Sequence, residues 1–325
     1  MYFADRLLEA INEKESPLCV GIDPRLAPIP EEIKERAKNL YGNTLAGVAH
    51  AYREFSFGVI DAVADIAPIA KPQLAFFEIL GAQGFALLED VVQYAQDSGL
   101  LVITDAKRND IGSTAEAYAS AFLGRTELFD GQKVPVIDAD AMTVNSYLGT
   151  DGIKPFVQKC DEFGRGIFCL VKTSNPSSGE IQDLEGKFAG KEGKVYERMA
   201  ALVDAWGQDL VGGSGYSSVG AVTGATYPEH LAALRELMPR AILLIPGYGA
   251  QGGTADDVVP GFNPDGLGAI VNSSRGVIFA YTKDGYKNMH WKDAVRQAAI
   301  DATKQINLSL DTEEKLPKGW QKPSN

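Results

Sequence analysis

Three charged residues, Asp105, Lys107 and Asp110, follow a short apolar stretch with the spacing Asp-x-Lys-x-x-Asp. An apolar run of this kind predicts a strand that is buried on both faces. Side chains two positions apart on a strand point to the same side, so Asp105 and Lys107 share a side and Asp110 lies on the loop beyond. A fixed ammonium can stabilise negative charge on a substrate and then donate a proton to it. The spacing therefore predicts a site where opposite charges converge for this kind of chemistry.

The same spacing also fits a purely structural network of ion pairs, because charges taken out of water must offset one another. Two features favour a functional site. The triplet stands at a predicted strand end, and residues 111–114 open a helix directly afterwards. Folds of the α/β class place their chemistry at this edge of the sheet.

Two further stretches have the composition of an anion-binding site. Residues 246–254 read Pro-Gly-Tyr-Gly-Ala-Gln-Gly-Gly-Thr, and glycine at this density lets backbone amides approach an anion. Residues 272–276 read Asn-Ser-Ser-Arg-Gly, in which the Arg275 guanidinium can clamp a phosphate. A glycine-rich loop alone is equally typical of a flexible connection. The two stretches together predict a phosphate cradle. In a (β/α)8 barrel they would follow the seventh and eighth strands, whose loops commonly bind phosphate in that fold.

Short apolar runs alternate along the chain with segments that carry apolar residues at three- and four-residue steps. Strands alternating with amphipathic helices predict a parallel sheet that closes on itself. The predicted strands are 18–22, 67–70, 101–104, 139–144, 166–171, 219–223, 241–245 and 268–271. The predicted helices are 44–66, 76–98, 196–210, 228–238 and 293–307. The predicted fold class is therefore α/β, a (β/α)8 TIM barrel.

The chain has 325 residues, of which 45% are hydrophobic, and this suits one large barrel domain with insertions. We expect that domain to span residues 1–310, followed by a polar, loosely held tail over residues 311–325. Two connections are longer than a compact barrel loop requires. Residues 23–43 follow the first strand and residues 174–193 follow the fifth, and the second insertion is a candidate lid.

The residues just after each apolar run belong together, because a barrel of this kind places its catalytic groups at the carboxyl ends of its strands. They are Asp23, Lys71, Asp105 with Lys107 and Asp110, Asn145, Thr173 with Ser174 and Asn175, Thr223, Pro246 with Gly247, and residues 272–275. Asp23 alternatively initiates a turn, and Asn145 alternatively caps a helix. Lys71 ends a buried strand and needs a carboxylate partner there, which predicts a neutral array of two lysines and the two aspartates of the first motif.

Composition argues against several classes of partner and site. The formal net charge of −12 disfavours nucleic acid or an anionic membrane as a partner, because both bind basic surfaces. Three scattered cysteines are too few for a disulfide framework or a zinc site, and the three histidines form no ligand pattern. The N-terminal residues do not resemble a signal peptide, and no apolar run reaches membrane-spanning length. We expect a cytoplasmic protein with no metal site.

The segment from Asp105 to Thr114, Asp-Ala-Lys-Arg-Asn-Asp-Ile-Gly-Ser-Thr, resembles the signature of the orotidine 5′-phosphate decarboxylase family, in particular its longer-chain branch. The similarity extends over about residues 19–280, with the 246–253 loop and the Arg275 segment as its other specific parts. The resemblance implies a homodimeric barrel lyase that converts orotidine 5′-phosphate to uridine 5′-phosphate and carbon dioxide, the last step of pyrimidine nucleotide synthesis. It also implies that no metal and no organic cofactor is needed.

The resemblance implies a role for each matching residue. Lys107 would protonate C6 of the pyrimidine, with Asp105 beside the departing carboxylate. Lys71 would bond the ribose and Asp105, and Asp23 would hold a ribose hydroxyl. The other implied contacts are Thr173 and Ser174 at the pyrimidine edge, Gln251 and Arg275 at the phosphate, Asn145, Pro246, Gly247 and Ser274 as further substrate-binding residues, and Asp110, Ile111 and Thr114 reaching into the neighbouring subunit's site. Which of residues 173–175 meets the pyrimidine stays open, and Ser274 stands where shorter members have Gly.

Two other functions remain open from the residues alone. A metal-dependent sugar-phosphate decarboxylase or aldolase of the same suprafamily shares the Asp-x-Lys-x-x-Asp spacing but uses Mg²⁺. Such enzymes resemble one another in having Glu at the end of strand two, where Lys71 stands here and would repel a divalent cation. The other alternative is a barrel that binds a phosphate ligand without catalysis, since a fold does not determine a function.

Overall fold

The structure of the chain, a computed structural model, describes residues 1–188, 190–225, 228–249 and 253–323. Eight parallel strands form a closed barrel in which the last strand pairs with the first. The strands are β1 (Leu18–Ile22), β2 (Ile69–Pro72), β3 (Leu101–Arg108), β4 (Ala141–Val144), β5 (Gly166–Lys172), β6 (Ser217–Thr223), β7 (Ala241–Ile245) and β8 (Ala269–Ser273). The predicted (β/α)8 barrel is confirmed, since helices connect the strands.

Strand residues are almost all buried, because helices cover the outside of the barrel and side chains fill its inside. β1 and β7 begin and end at the predicted residues. β2 begins and ends two residues later than predicted, which places Lys71 within the strand. β3 continues past the predicted residue 104 to Arg108, so that Asp105 and Lys107 lie on the strand itself.

Helices surround the barrel, and all five predicted segments are helical over most of their length, although further helices lie outside those segments. The α-helices of the described residues are α1 (Phe3–Lys14), α2 (Glu31–Tyr41), α3 (Leu45–Val63), α4 (Ala75–Glu78), α5 (Ala82–Asp97), α6 (Gly112–Leu123), α7 (Thr150–Phe163), α8 (Gly179–Gln182), α9 (Val195–Trp206), α10 (Pro228–Leu237), α11 (Ala255–Val258), α12 (Arg275–Ile278) and α13 (Trp291–Thr312). Short 3₁₀ helices span Ser146–Leu148, Pro176–Ser178, Gln208–Leu210, Val259–Gly261 and Ala280–Thr282. The predicted helix 76–98 is divided into α4 and α5 because Gly81 has a φ of +62°, which other residues rarely adopt.

The amino-terminal helix α1 closes the end of the barrel where the strands begin. Its apolar side chains Phe3, Leu7 and Ile11 are buried against residues that point into the barrel, and Phe3 makes an edge-on contact with Phe168 of β5 at 6.0 Å between ring centroids. Bulky side chains in the barrel interior form a packed core rather than a channel. Any ligand must therefore enter at the opposite end, where the strands terminate.

The carboxyl-terminal segment is attached to the same closed end of the barrel, which differs from the expected loosely held tail. Helix α13 continues to Thr312, and Trp320 is buried with its indole nitrogen donating to Asn12 Oδ1 at 3.1 Å. Lys315 donates to the backbone carbonyls of Val259 and Phe262. A large aromatic side chain outweighs the polar composition of the segment, because its burial removes considerable apolar area from water.

Both predicted insertions are present and carry structure of their own. The first holds α2, which packs against α3. The second holds α8 and an antiparallel strand pair, Glu185–Phe188 with Lys191–Lys194. A second strand pair, which was not predicted, joins Thr126–Glu127 with Lys133–Val134 between α6 and β4. Within the described ranges, no helix has the length and apolar character that crossing a membrane requires.

Candidate active site

A cavity of about 460 Å³ opens where the barrel strands end. Its volume is within the range of small-molecule sites in proteins. Ten of the predicted site residues line it: Asp23, Lys71, Asp105, Lys107, Thr173, Ser174, Pro246, Gly247, Ser274 and Arg275. The carboxyl ends of six separate predicted strands supplied these candidates, and closure of the barrel brings them to one place.

Asp105 is the centre of the charged side of this cavity. Its Oδ2 accepts a hydrogen bond from the Lys71 ammonium at 2.8 Å, and its Oδ1 accepts one from the Lys107 ammonium at 2.5 Å. Asp105 is thus the carboxylate partner that a buried Lys71 requires. The Lys71 and Asp105 side chains are 6% and 9% exposed, whereas Lys107 is 45% exposed. Of these three charged groups, Lys107 is therefore the most accessible to a ligand in the cavity.

The two buried charges of this array hold each other ionised. Burial by itself would raise the pKa of Asp105, but the ammonium groups of Lys71 and Lys107 reverse this and lower it well below its usual range. Burial would likewise lower the pKa of Lys71, but the carboxylates of Asp105 and Asp23 raise it. The site therefore presents fixed charges at neutral pH.

Asp23 stands at the edge of the charged array with an unused hydrogen-bonding atom. Its Oδ1 is buried and has no hydrogen-bond partner among the described residues. A buried acceptor without a donor is costly, so such atoms commonly serve a ligand. Because Asp23 lines the cavity, its carboxylate is suited to accept a hydrogen bond from a ligand hydroxyl.

An irregularity in β3 aims the charged side chains into the cavity. From Thr104 to Arg108 the strand advances four residues, while β4 beside it advances only from Met142 to Val144. The extra residues form a bulge, and Lys107 within it has a φ of +46°, in the left-handed region. Asp105 and Lys107 do face the same cavity, as their spacing predicts, but through this bulge rather than through regular alternation.

Two residues that contact Asp105 were missed by the sequence analysis. Gln73 donates to Asp105 Oδ2 at 2.8 Å, and Thr143 donates to Asp105 Oδ1 at 2.8 Å. Gln73 is two positions beyond Lys71 and so points to the same side of the chain, and this spacing is the signal that identifies it. Thr143 lies inside a predicted strand, where its uncharged side chain gave no signal. Arg25 also lines the cavity, as does Asn272, which belongs to the predicted stretch 272–275.

Three residues of the motif that runs from Asp105 to Thr114 lie outside the cavity of their own chain. Asp110 Oδ1 accepts a hydrogen bond from the backbone nitrogen of Ile111 at 2.8 Å, and Asp110 forms no ion pair within the described ranges. The predicted four-charge array with Asp110 is therefore wrong for a single chain, because the backbone turns away into α6 after the bulge. Ile111 is 52% exposed and Thr114 is also exposed, so both face outward from this chain.

Asn145 caps a short helix, which is the alternative to ligand binding that the sequence left open. It follows β4 directly, and its Oδ1 accepts a hydrogen bond from the backbone nitrogen of Tyr147 at 3.1 Å. This caps the 3₁₀ helix that begins at Ser146. Asn145 is not part of the cavity lining, and its side chain is used by the turn.

The second insertion holds the residues that follow β5. The Thr173 backbone nitrogen donates to Gln182 Oε1 at 3.0 Å, and Gln182 Nε2 donates to the Thr173 hydroxyl oxygen at 2.8 Å. The Thr173 hydroxyl donates in turn to Asn175 Oδ1 at 2.6 Å. Buried Lys172 pairs with Asp183 at 2.7 Å, which ties α8 to the barrel. These contacts attach the second insertion to the residues that form this part of the cavity.

The predicted phosphate cradle is only partly described. Pro246, Gly247 and Arg275 line the cavity, and Gly247 has a φ of +106°. Gln251 lies outside the described residues. The exposed Arg275 guanidinium has no acidic partner in the described part of the chain, which leaves it available to an anion. At Gly21 of β1, a Cβ would lie 1.8 Å from the Ser274 hydroxyl oxygen, so glycine there permits this loop to approach the strand.

Comparisons with known proteins agree on one family. A sequence model described as "Orotidine 5'-phosphate decarboxylase / HUMPS family" matches residues 16–285. The chain is 46% identical over 311 residues to the orotidine 5′-phosphate decarboxylase of Rhodopirellula baltica, covering 94% of this chain and 99% of that protein. It is 43% identical to that of Caldicellulosiruptor saccharolyticus, covering 95% and 98%. The solved structure of Leishmania donovani OMP decarboxylase is similar with a TM-score of 0.71 at 31% identity, covering 95% and 99%.

Proposed function

This chain belongs to the orotidine 5′-phosphate decarboxylase / HUMPS family, and we propose that it is a carbon–carbon lyase that decarboxylates orotidine 5′-phosphate, with Lys107 protonating C6. One observation carries the proposal. The Lys107 ammonium is held against the ionised Asp105 but remains accessible from the cavity, whose rim carries Arg275 without an acidic partner among the described residues. A pyrimidine nucleotide with a phosphate at one end and an acidic ring substituent at the other matches this distribution of charge.

The chemistry requires a cation at the carbon that loses carbon dioxide. When the bond between C6 and the carboxylate carbon breaks, its electron pair stays on C6 in an orbital that lies in the ring plane. The ring π system cannot absorb that pair, so the site must stabilise it electrostatically. The Lys107 ammonium does so and then transfers a proton to C6, which leaves a neutral amine that is reprotonated from solvent.

Asp105 holds the Lys107 ammonium in position through their contact at 2.5 Å. Asp105 stays ionised because the two lysines lower its pKa, and its charge in turn raises the pKa of Lys71. We assign Asp105 to the position beside the departing carboxylate. Lys71 and Asp23 are assigned to the ribose. Asp23 Oδ1, which has no hydrogen-bond partner in the described part of the chain, accepts a hydrogen bond from a ribose hydroxyl there.

The other end of the substrate supplies binding energy. Arg275 and the backbone of Pro246 and Gly247 are assigned to the phosphate, together with Gln251. Energy from these remote contacts can order the site around the reacting carbon. Ser174 and Thr173 are assigned to the pyrimidine edge, and Ser274 to the region near the phosphate.

We assign Asp110, Ile111 and Thr114 to the active site of a second copy of the chain in a homodimer. Support comes from their exposure and from the absence of an ion pair at Asp110 in its own chain, as far as the chain is described. Mixing the Asp110→Ala and Lys107→Ala proteins, each inactive alone, should restore about a quarter of parental activity once subunits exchange. Exchange without any recovery contradicts the shared site.

The metal-dependent alternative conflicts with Lys71. Its ammonium is buried 2.8 Å from Asp105, in the place where a divalent cation would need carboxylate ligands. The test is to add orotidine 5′-phosphate to the purified chain and follow pyrimidine absorbance with and without a chelator. We expect the same turnover in both. Loss of turnover with chelator favours the metal-dependent reaction, and no turnover in either favours a non-catalytic binding protein.

A further inference from the structure

We infer that Thr143 is a positioning residue for the reaction, because its single hydroxyl fixes both the backbone of Lys107 and the carboxylate of Asp105. The inference rests on the proposed decarboxylation. It concerns how the proton donor is held rather than which residue the donor is.

The backbone at Lys107 needs such support. Its φ of +46° lies in a region that residues other than glycine seldom adopt, and the surrounding bulge interrupts the ladder between β3 and β4. A backbone conformation of this kind persists only where neighbouring groups hold it in place. Glycine would relieve the strain, but only a lysine supplies the ammonium. The site therefore requires a lysine in a conformation that suits a glycine.

Thr143 lies on β4 directly beside the bulge and provides that support. Its hydroxyl oxygen accepts a hydrogen bond from the Lys107 backbone nitrogen at 3.0 Å. The same hydroxyl donates to Asp105 Oδ1 at 2.8 Å. Thr143 is 1% exposed, so water does not compete for either bond. A hydroxyl is one of the few side-chain groups that can accept and donate at once, and both functions are used here.

The two bonds determine where the Lys107 ammonium stands. Oδ1 of Asp105 receives the Lys107 ammonium and the Thr143 hydroxyl, while Oδ2 receives Lys71 and Gln73. Removal of the hydroxyl would free the strained backbone from which the Lys107 side chain departs, and it would free the carboxylate to rotate. A displacement of about 1 Å at a reacting group can lower a rate about a hundredfold.

The test compares the full-length Thr143→Val and Thr143→Ser proteins with the parental chain. Valine keeps the shape and removes the hydroxyl, whereas serine keeps the hydroxyl. Thr104→Val is the matched control, because Thr104 is also buried on a strand but its hydroxyl donates only to the Ala141 carbonyl, at 3.4 Å. The measurements are the single-turnover rate of orotidine 5′-phosphate decarboxylation and the Kd of uridine 5′-phosphate.

We expect Thr143→Val to lower the single-turnover rate about ten- to a hundredfold, the range for a hydrogen bond to a charged group, with the Kd changed less than about threefold. Thr143→Ser and Thr104→Val should stay near the parental rate. If valine does not fold, Thr143→Ala takes its place with the same expectation. A valine or alanine protein at the parental rate, or a serine protein as slow as valine, overturns the inference. A parental chain that does not decarboxylate the substrate overturns the proposed function instead.

Discussion

The two walls of the cavity differ in how their side chains are held. The strand wall stands on or directly after β1–β4, and the loop wall stands on the connections after β5, β7 and β8. The strand wall comprises Asp23, Lys71, Gln73, Asp105, Lys107 and Thr143, and the loop wall comprises residues 173–175, 246–247 and 274–275. In the strand wall Asp105 accepts four hydrogen bonds from its neighbours, whereas Arg275 in the loop wall has no acidic partner among the described residues.

This difference separates the chemistry from the binding. A proton donor must be fixed to within a fraction of an ångström, which barrel strands and buried ion pairs provide. A phosphate site needs exposed cations and backbone amides that can close around a ligand, which loops provide. Substitutions in the strand wall should therefore lower the rate, and substitutions in the loop wall should weaken binding.

The largest effect is expected for Lys107→Ala in the strand wall. Removal of the ammonium takes away both the stabilising charge and the proton, so kcat should fall by several powers of ten, while the Kd of uridine 5′-phosphate changes little. Lys154→Ala, at an exposed lysine of α7, is the control. Steady-state rates and circular dichroism check the result, and a loss of less than about tenfold would remove Lys107 from its role.

Arg275→Ala, in the loop wall, should weaken substrate binding rather than lower the rate. The guanidinium is assigned to the phosphate, and a hydrogen bond to a charged group contributes enough that KM should rise about ten- to a hundredfold. Arg53→Ala removes a guanidinium that pairs with Asp90 at the surface and serves as the control. An unchanged KM for Arg275→Ala would place the phosphate elsewhere.

A smaller change is expected when the loop wall loses its support. Gln182→Ala removes the two hydrogen bonds that hold Thr173, so KM should rise about two- to tenfold, while the single-turnover rate at saturation stays near the parental value. Glu180→Ala changes an exposed residue of the same helix and should have no effect. A Gln182→Ala protein that lost rate rather than affinity would mean that the insertion supports the chemistry.

The smallest effect is a pH dependence of stability in the strand wall. The pKa of Asp105 is lowered in the folded chain, so its stabilising contribution is complete above the unfolded pKa of about 3.9 and is lost as the pH falls below it. Urea unfolding of the parental chain and Asp105→Asn should differ by a constant free energy at about pH 5 to 7, and the difference should shrink progressively as the pH falls below about 4. A difference that stays constant down to about pH 3 would mean that the pKa of Asp105 is not lowered.

The sequence was sufficient to predict the barrel because its signals are local. Apolar runs such as 241–245 are long enough to define a strand, and side-chain spacing predicted that Asp105 and Lys107 share a side. The chemical type of the group that pairs with Lys71 was also predictable, because a buried ammonium needs a carboxylate.

Features that depend on contacts between distant strands were not predictable. The bulge at Lys107 arises from the register between β3 and β4, and the role of Thr143 follows from that register. The burial of Trp320 depends on a partner more than 300 residues away in the chain, Asn12. Asn145 fits a cap and a ligand contact equally well in sequence, and only the position of Tyr147 decides between them.

The central claim is that the Lys107 ammonium exchanges a proton with C6 of the pyrimidine. By microscopic reversibility the neutral amine form of Lys107 should slowly remove the C6 proton of bound uridine 5′-phosphate and return a deuteron taken from solvent, so NMR in D2O tests the claim without any decarboxylation. At equal site occupancy, we predict that the C6 proton signal of uridine 5′-phosphate is lost with the parental chain. With Lys107→Ala the signal should be lost no faster than without protein. Equal exchange by both proteins would contradict the account.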